Sequence, residues 1–236
     1  MKTTLITGGL GFIGSNICDS LLQKKYTDKC ILLDNFGGYM NPIKDSFIDF
    51  RKQRFSSLKN IIIERCDTSN YKALSSIINK YKPNYIYHTA ALPLAKVSNL
   101  NNEEAKISSV DSTVNIIDAI NLLKNSNQKF QFDRFIYFSS SMVYGDFKKS
   151  TVTEESEKNP KDAYGIMKLA GEVVTEGLCR LHNIPYTIIR PSAVYGPKDM
   201  NRRVSQIFIE NAFKKQEISI QGKNEKLDFT YIKDLA

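Results

Sequence analysis

Short apolar runs alternate with longer segments of helical periodicity from the first residues of the chain. The short runs have the length and β-branched content of buried strands, whereas the longer segments carry apolar residues at helical spacing. Predicted strands cover residues 3–7, 30–34, 60–64, 85–88, 134–139 and 186–190, and predicted helices cover residues 12–25, 71–81, 103–124 and 163–182. Strands that alternate with helices predict right-handed crossovers. The pattern therefore predicts an α/β fold built on a doubly wound parallel sheet.

The rhythm changes after Gly196 and Pro197. Residues 204–214 have a helical pattern, residues 218–220 and 229–232 resemble short strands, and residues 233–236 resemble the first turn of a helix. We therefore expect two regions, a main domain of residues 1–191 and an incomplete C-terminal lobe of residues 192–236.

Composition and charge narrow the function classes. The chain has 236 residues, of which 42% are hydrophobic and 25% charged, and its N-terminus lacks the pattern of a signal peptide. We expect a soluble, cytoplasmic protein without a membrane segment. The net charge of +8 comes from scattered lysines and arginines, a pattern that disfavours a nucleic-acid surface but would attract anionic small substrates.

Cysteine and histidine usage excludes two kinds of site. The four cysteines form no close pair, and the chain has only two histidines. This pattern disfavours a disulfide framework and a zinc site, so we predict buried, reduced thiols and no bound metal.

A glycine-rich turn follows the first predicted strand and opens the first predicted helix. Gly8, Gly11 and Gly14 have the spacing at which the backbone can turn tightly and approach a pyrophosphate. The helix that follows offers N–H groups and a positive dipole end to phosphates. A glycine triplet can also form an ordinary turn, but its place between strand and helix predicts a dinucleotide site in a Rossmann fold.

Two acidic residues follow the next strands. Asp34 ends the second strand about 20 residues after Gly14, where a carboxylate would bind the ribose hydroxyls of NAD and repel the 2′-phosphate of NADP. The alternative for Asp34 is a simple turn residue. Asp67, after the third strand, could contact the adenine or could equally cap the next helix.

Tyr164 and Lys168 are four residues apart and would share one helix face. An adjacent cation lowers the pKa of a phenol, so the pair could act as a general base. Serines 139–141 end the fifth strand at the sheet edge where ligands bind in such folds. Each feature alone also has a plain structural explanation, a helix surface or a polar strand exit.

The order of these motifs resembles that of extended short-chain dehydrogenases/reductases, specifically the NAD-dependent nucleotide-sugar epimerase/dehydratase family. Besides the glycine turn, Asp34 and Tyr-x-x-x-Lys, the matching segments are His88–Ala91, Val143–Gly145, Arg190–Pro197 and Asp228–Ile232. The resemblance covers essentially the whole chain.

The resemblance implies roles for individual residues. Tyr164 is expected to be the catalytic base, Lys168 to hold the nicotinamide ribose and tune the tyrosine, and Ser140 to bind the substrate hydroxyl. Beyond the glycines, the expected cofactor contacts are Phe12, Ile13, Asp34, Asn35, Asp67, Thr68, Ala90, Ala91, Tyr164, Lys168 and Pro191. The expected substrate contacts are Ser140, Ser141, Tyr164 and Arg203.

The two residues after Ser140 lack the carboxyl groups that mark other branches of the family. The 4,6-dehydratases carry Asp-Glu after the catalytic threonine, and the decarboxylases carry a glutamate at the position of Met142. Here Ser141 and Met142 offer no carboxyl group, so we expect a 4-epimerase acting on a UDP-hexose. A reductase or a dehydratase of the same family, and a truncated NAD-binding module without turnover, are the alternatives. The resemblance also implies a homodimer.

Overall fold

The computed structural model describes residues 1–37, 60–92, 101–147, 151–197, 199, 204–220 and 227–236. The strands within these ranges are β1 (Thr3–Thr7), β2 (Lys29–Asp34), β3 (Ile61–Arg65), β4 (Tyr85–His88), β5 (Arg134–Phe138) and β6 (Tyr186–Ile189). The helices are α1 (Phe12–Gln23), α2 (Tyr71–Tyr81), α3 (Asn102–Lys106), α4 (Ser112–Ser126), α5 (Ala163–Leu181), α6 (Val204–Phe213) and α7 (Ile232–Leu235).

The strands form one six-stranded sheet in the order β3-β2-β1-β4-β5-β6, and every pair in it is parallel. The doubly wound Rossmann architecture is therefore confirmed. The chain builds outward from β1 to β3 and then crosses to the other side at β4, so a crevice opens between β1 and β4 at the carboxyl ends of the strands.

Each face of the sheet has its own core, because successive side chains of a strand point to opposite faces. Leu5, Ile31 and Phe135 pack on one face with α2, α4 and α5, whereas Ile6, Leu32 and Ile136 pack on the other face with α1. All four cysteines are free and buried, as predicted.

The structure corrects the sequence predictions at three places. Residues 218–220 form no strand, although their β-branched residues suggested one. Residues 229–232 form one isolated parallel bridge, between Tyr231 and Tyr195, instead of a strand, and Ile232 already begins α7. The predicted helix of residues 103–124 is divided into α3, a π-helical turn at Ile107–Asp111 and α4.

None of the helices in the described part of the chain is both long and apolar enough to cross a membrane.

Candidate active site

The glycine turn lies where β1 meets the exit of β4. Gly8 has φ of +62°, and a Cβ there would lie 2.9 Å from the Cα and N of Ala90. A Cβ on Gly14 would lie 2.5 Å from the Gly8 carbonyl oxygen. Side chains are thus excluded from the inner side of this turn, so that helix and strand pack closely.

The start of α1 suits an anionic ligand. Gly11 precedes the helix in extended conformation, and no side chain caps the first turn. Phe12 and Ile13 are the first two helical residues, where N–H groups have no partner within the helix. The turn and this helix start fit the pyrophosphate of a dinucleotide.

Asp34 connects the second strand to the glycine turn. Its carboxylate is buried at 7% exposure and accepts hydrogen bonds from the N–H groups of Leu10 (3.1 Å) and Phe36 (2.9 Å). The carboxylate therefore helps to hold the glycine turn in place, beyond the role in ribose binding predicted for it.

Asp67 does not cap the next helix, because Asn70 does so by accepting from the N–H of Ala73. Asp67 instead accepts hydrogen bonds from the Asn35 side chain (2.9 Å) and from Ser69. Partial burial raises the pKa of Asp67, but these hydrogen bonds outweigh it, so the pKa lies below its ordinary value and the carboxylate is charged.

A surface pocket of about 420 Å³ opens beside this pair, lined by Asn35, Arg65, Cys66, Asp67, Asn70 and Ala73. Asn35 and Asp67 thus lie together at this pocket, and their predicted contact with the cofactor stays a prediction. Thr68 is buried next to them, and its carbonyl oxygen accepts from the Asn115 side chain at 3.0 Å.

The first turn of α5 packs directly on the turn that follows β5. Asp162 caps α5 by accepting from the N–H of Gly165, which places the preceding residue, Tyr164, in the first turn. A Cβ on Gly165 would lie 2.7 Å from the carbonyl oxygen of Met142. The absence of that Cβ lets the tyrosine-bearing helix approach residues 140–144, the serine turn. This turn is a short 3₁₀ helix at Ser141–Tyr144 with Ser140 as its N-cap.

Lys168 is buried at 3% exposure, and its Nζ donates to the carbonyl oxygen of Phe138 at 2.7 Å. The same Nζ lies 5.9 Å from the centre of the Tyr164 ring. Burial lowers the pKa of Lys168 to about 8, although the nearby Glu172 carboxylate raises it. The predicted pairing of phenol and ammonium on one helix is present.

Behind Lys168 lies His88, which is fully enclosed. Its Nδ1 lies 2.7 Å from Thr7 Oγ1 and its Nε2 lies 3.1 Å from Ser112 Oγ. Burial and then the charge of Lys168 lower the pKa of His88 to about 3, so the imidazole is neutral. The histidine thus links β1, which leads into the glycine turn, to the start of α4.

The serines after β5 have different surroundings. Ser140 is buried at 8% exposure, and its Oγ accepts from the Met142 N–H at 3.2 Å. The Ser141 N–H donates to the carbonyl oxygen of Pro191, which follows β6. Ser139 Oγ is buried and has no hydrogen-bond partner among the described residues.

The remaining predicted residues are only partly placed. Ala90 and Ala91 follow β4 beside the glycine turn and are partly exposed. Arg203 lies outside the described residues, so its predicted contact with substrate stays a prediction.

Sequence reasoning assigned no role to Glu172 and Arg190, which form a buried ion pair next to this site. A glutamate one helical turn after Lys168, inward on the same face, was the signal that could have identified the pair.

Comparison with known proteins agrees with this geometry. Residues 4–236 match the model of the NAD dependent epimerase/dehydratase family. A solved structure of UDP-glucuronic acid 4-epimerase from Bacillus cereus, in complex with UDP-glucuronic acid and NAD, superimposes with a TM-score of 0.83 at 27% identity. That match covers 99% of this chain and 70% of the other.

Relatives by sequence belong to more than one branch. A putative UDP-glucose 4-epimerase of Methanocaldococcus jannaschii is 32% identical over 98% of this chain and 70% of its own length. A dTDP-D-glucose 4,6-dehydratase of Dictyostelium discoideum is 26% identical over 100% of this chain and 54% of its own length. From the family match and these relatives, the chain belongs to the NAD-dependent epimerase/dehydratase family.

Proposed function

We propose that this protein catalyses the 4-epimerisation of a UDP-hexose with NAD as its cofactor. When bound, NAD supplies reversible hydride chemistry at a sugar carbon. The observation that carries the proposal is the packing of the first turn of α5 against the serine turn. It brings the elements of Ser140, Tyr164 and Lys168 to the carboxyl end of β5.

Each residue has a distinct task in this proposal. The phenol oxygen of Tyr164 removes the proton of the sugar hydroxyl, and Ser140 Oγ donates a hydrogen bond to the same sugar oxygen. The ammonium of Lys168 stabilises the phenolate through space, because burial leaves little water to screen its charge.

The choice of epimerisation rests on Ser141 and Met142. Elimination of water from a sugar needs an acid and a base near the departing hydroxyl. Met142 is 40% exposed on the serine turn and has no titratable group, and Ser141 is a poor acid. Because a 4,6-dehydratase is among the relatives, dehydration of the sugar is the principal alternative that the experiment has to distinguish.

The test is incubation of the purified protein with a panel of UDP-hexoses, followed by NMR of the products. We expect the 4-epimer to accumulate, and Tyr164→Phe to abolish turnover while NAD stays bound. Tyr26→Phe, on the exposed surface, serves as the matched control with unchanged activity. A 4-keto-6-deoxy product would assign the chain to the dehydratases, and NAD binding without turnover on any sugar would contradict the active-enzyme proposal.

We propose in addition that a second copy of the chain covers one face of α5. Ile166, Val173 and Leu181 are 48%, 64% and 70% exposed, and their spacing places them along one side of the helix together with Gly177. Light scattering should show a dimer for the wild type and a monomer for Val173→Glu. A monomeric wild type would contradict this proposal.

A further inference from the structure

Arg190 follows β6 and bonds to three separate segments. Its Nε and Nη2 donate to Oε1 and Oε2 of Glu172, both at 2.8 Å, in a two-pronged ion pair. Its Nη1 donates to the hydroxyl of Tyr144 at 2.9 Å and to the carbonyl oxygen of Glu154 at 3.1 Å. The pair is enclosed, since the two side chains are 16% and 4% exposed.

The partners of Arg190 belong to the two elements that carry the proposed chemistry. Glu172 lies one turn beyond Lys168 and two turns beyond Tyr164 on α5. Tyr144 ends the serine turn that begins at Ser140. None of the described contacts of Arg190 is to Ser140, Tyr164 or Lys168 themselves, so any effect on them passes through these partners.

A guanidinium suits this position better than an ammonium would. Its planar fork holds a carboxylate at two points and still has a third nitrogen for the phenol, whereas a lysine is a single point charge. Arg190 also lies 5.3 Å from the centre of the Tyr144 ring, which fixes the ring as well as its hydroxyl. The neighbouring Pro191 carbonyl adds a backbone bond to Ser141.

We propose that Arg190 is a positioning residue that sets the separation between Ser140 and Tyr164 by joining Glu172 of α5 to Tyr144 of the serine turn. Its effect on turnover rests on the proposed function, whereas its effect on the serine turn does not. Two substitutions separate its bonds. Arg190→Lys keeps the charge and removes the fork, and Tyr144→Phe removes only the bond to the serine turn.

The first measurement is hydrogen exchange of the backbone amides of residues 141–145. The N–H groups of Ser141, Met142, Val143 and Gly145 are all hydrogen-bonded in this turn. Both variants should exchange there about 10-fold faster than the wild type, with the core strands unchanged. Unchanged protection of this turn would overturn the proposal, whether or not the protein is an active enzyme.

The second measurement is turnover. We expect kcat to fall about 10-fold or more in both variants while the Kd of NAD stays close to wild type, because a small misplacement costs rate rather than binding. The melting temperature should stay close to wild type in Tyr144→Phe and fall in Arg190→Lys, because that variant leaves the buried Glu172 carboxylate with fewer hydrogen bonds. Arg134→Lys is the matched control, since Arg134 bonds Tyr186 and Thr187 where β5 and β6 begin, at the opposite end of these strands. Loss of kcat only in proportion to lost stability would reduce Arg190 to a structural residue. An inactive wild type would instead contradict the proposed function.

Discussion

The side-chain ammonium of Lys168 donates a hydrogen bond of 2.7 Å to the backbone carbonyl of Phe138, the last residue of β5. The bond anchors the charged end of a buried side chain at the strand from which Ser140 also emerges. A single carbonyl replaces only part of the hydration that the ammonium loses, which is why burial lowers the pKa of Lys168 to about 8.

The stability of the NAD-free protein should therefore depend on pH through Lys168. The unfolded lysine, with its ordinary pKa of 10.5, binds a proton between pH 10.5 and 8 that the folded lysine does not. The group's contribution to stability is thus greatest above pH 10.5 and is lost as the pH falls to 8.

Lys168→Met removes this dependence. Near pH 7.5 the variant should unfold with a free energy about 1–3 kcal/mol higher than the wild type, and the gap should close as the pH rises to 10.5. Urea unfolding across this range measures it, with the exposed Lys161→Met as the matched control. A gap that stays constant with pH would contradict the cost of burial inferred for Lys168.

At acidic pH, the stability of the protein should depend on His88. Burial and the charge of Lys168 lower the pKa of His88 to about 3, against an ordinary value of 6.5. The stability from this group is complete above pH 6.5 and is lost as the pH falls toward 3, because only the unfolded chain takes up the proton.

Between pH 6.5 and 4.5 the free energy of unfolding should accordingly fall by about 2 kcal/mol less in His88→Gln than in the wild type. The other histidine, His182, follows the last residue of α5 and lies outside the core, so His182→Gln is the control for removing an imidazole. Equal acid sensitivity of all three proteins would show that His88 is not the responsible group.

The glycine turn predicts a sharp contrast between two alanine substitutions. Gly8→Ala places a Cβ 2.9 Å from the Ala90 backbone at a φ of +62°, so NAD affinity should fall at least about 10-fold and stability by about 1–3 kcal/mol. A Cβ on Gly177 meets nothing within 4 Å of its own chain, so Gly177→Ala should gain about 0.5–1 kcal/mol in the Val173→Glu background, in which the proposed dimer face of α5 is uncovered. Calorimetry with NAD titration measures both, and an unaffected Gly8→Ala would exclude the close approach inferred here.

The negative charge of Asp34 should favour NAD over NADP. Asp34→Asn keeps an oxygen for the Leu10 N–H but removes the negative charge that opposes a 2′-phosphate. The preference for NAD over NADP should drop by about 10-fold, equivalent to about 1.4 kcal/mol. Asp28, before the other end of β2, binds the Lys2 N–H, and Asp28→Asn should leave the preference unchanged. If both variants kept the wild-type preference, Asp34 would not be its source.

The parts of the fold that follow from local patterns were predictable. β1, α2 and β4 begin and end at the predicted residues, since each is an apolar or amphipathic run bounded by turn residues. The π-helical turn at Ile107–Asp111 was not predictable, because the apolar spacing continues through it on both sides. Residues 218–220 pair with no strand in the described part of the chain, which shows that β-branched residues need a partner strand as well as propensity.

The residues of the candidate site also fall into two groups, those that the sequence predicted and those that it did not. The glycine turn, Asp34 and the Tyr164–Lys168 pair were visible as spacing within one element or across one turn. The contacts of Arg190 join residues 18, 36 and 46 positions apart, and those of His88 join residues 81 and 24 positions apart. Only the tertiary fold brings such residues together, so spacing along the chain carries no signal for them.

The six described strands run in one direction, so they all begin on one side of the sheet and all end on the other, and the two sides have different roles. On the side where the strands begin, Lys2, Asn84 and Asp133 form an ion pair and hydrogen bonds that join the starts of neighbouring strands. Substitutions there can alter folding without reaching the glycine turn or the serine turn, which both lie at the carboxyl ends of the strands. A complete substitution scan should therefore show, along each strand, a gradient from effects on abundance at the start to effects on activity per molecule at the end.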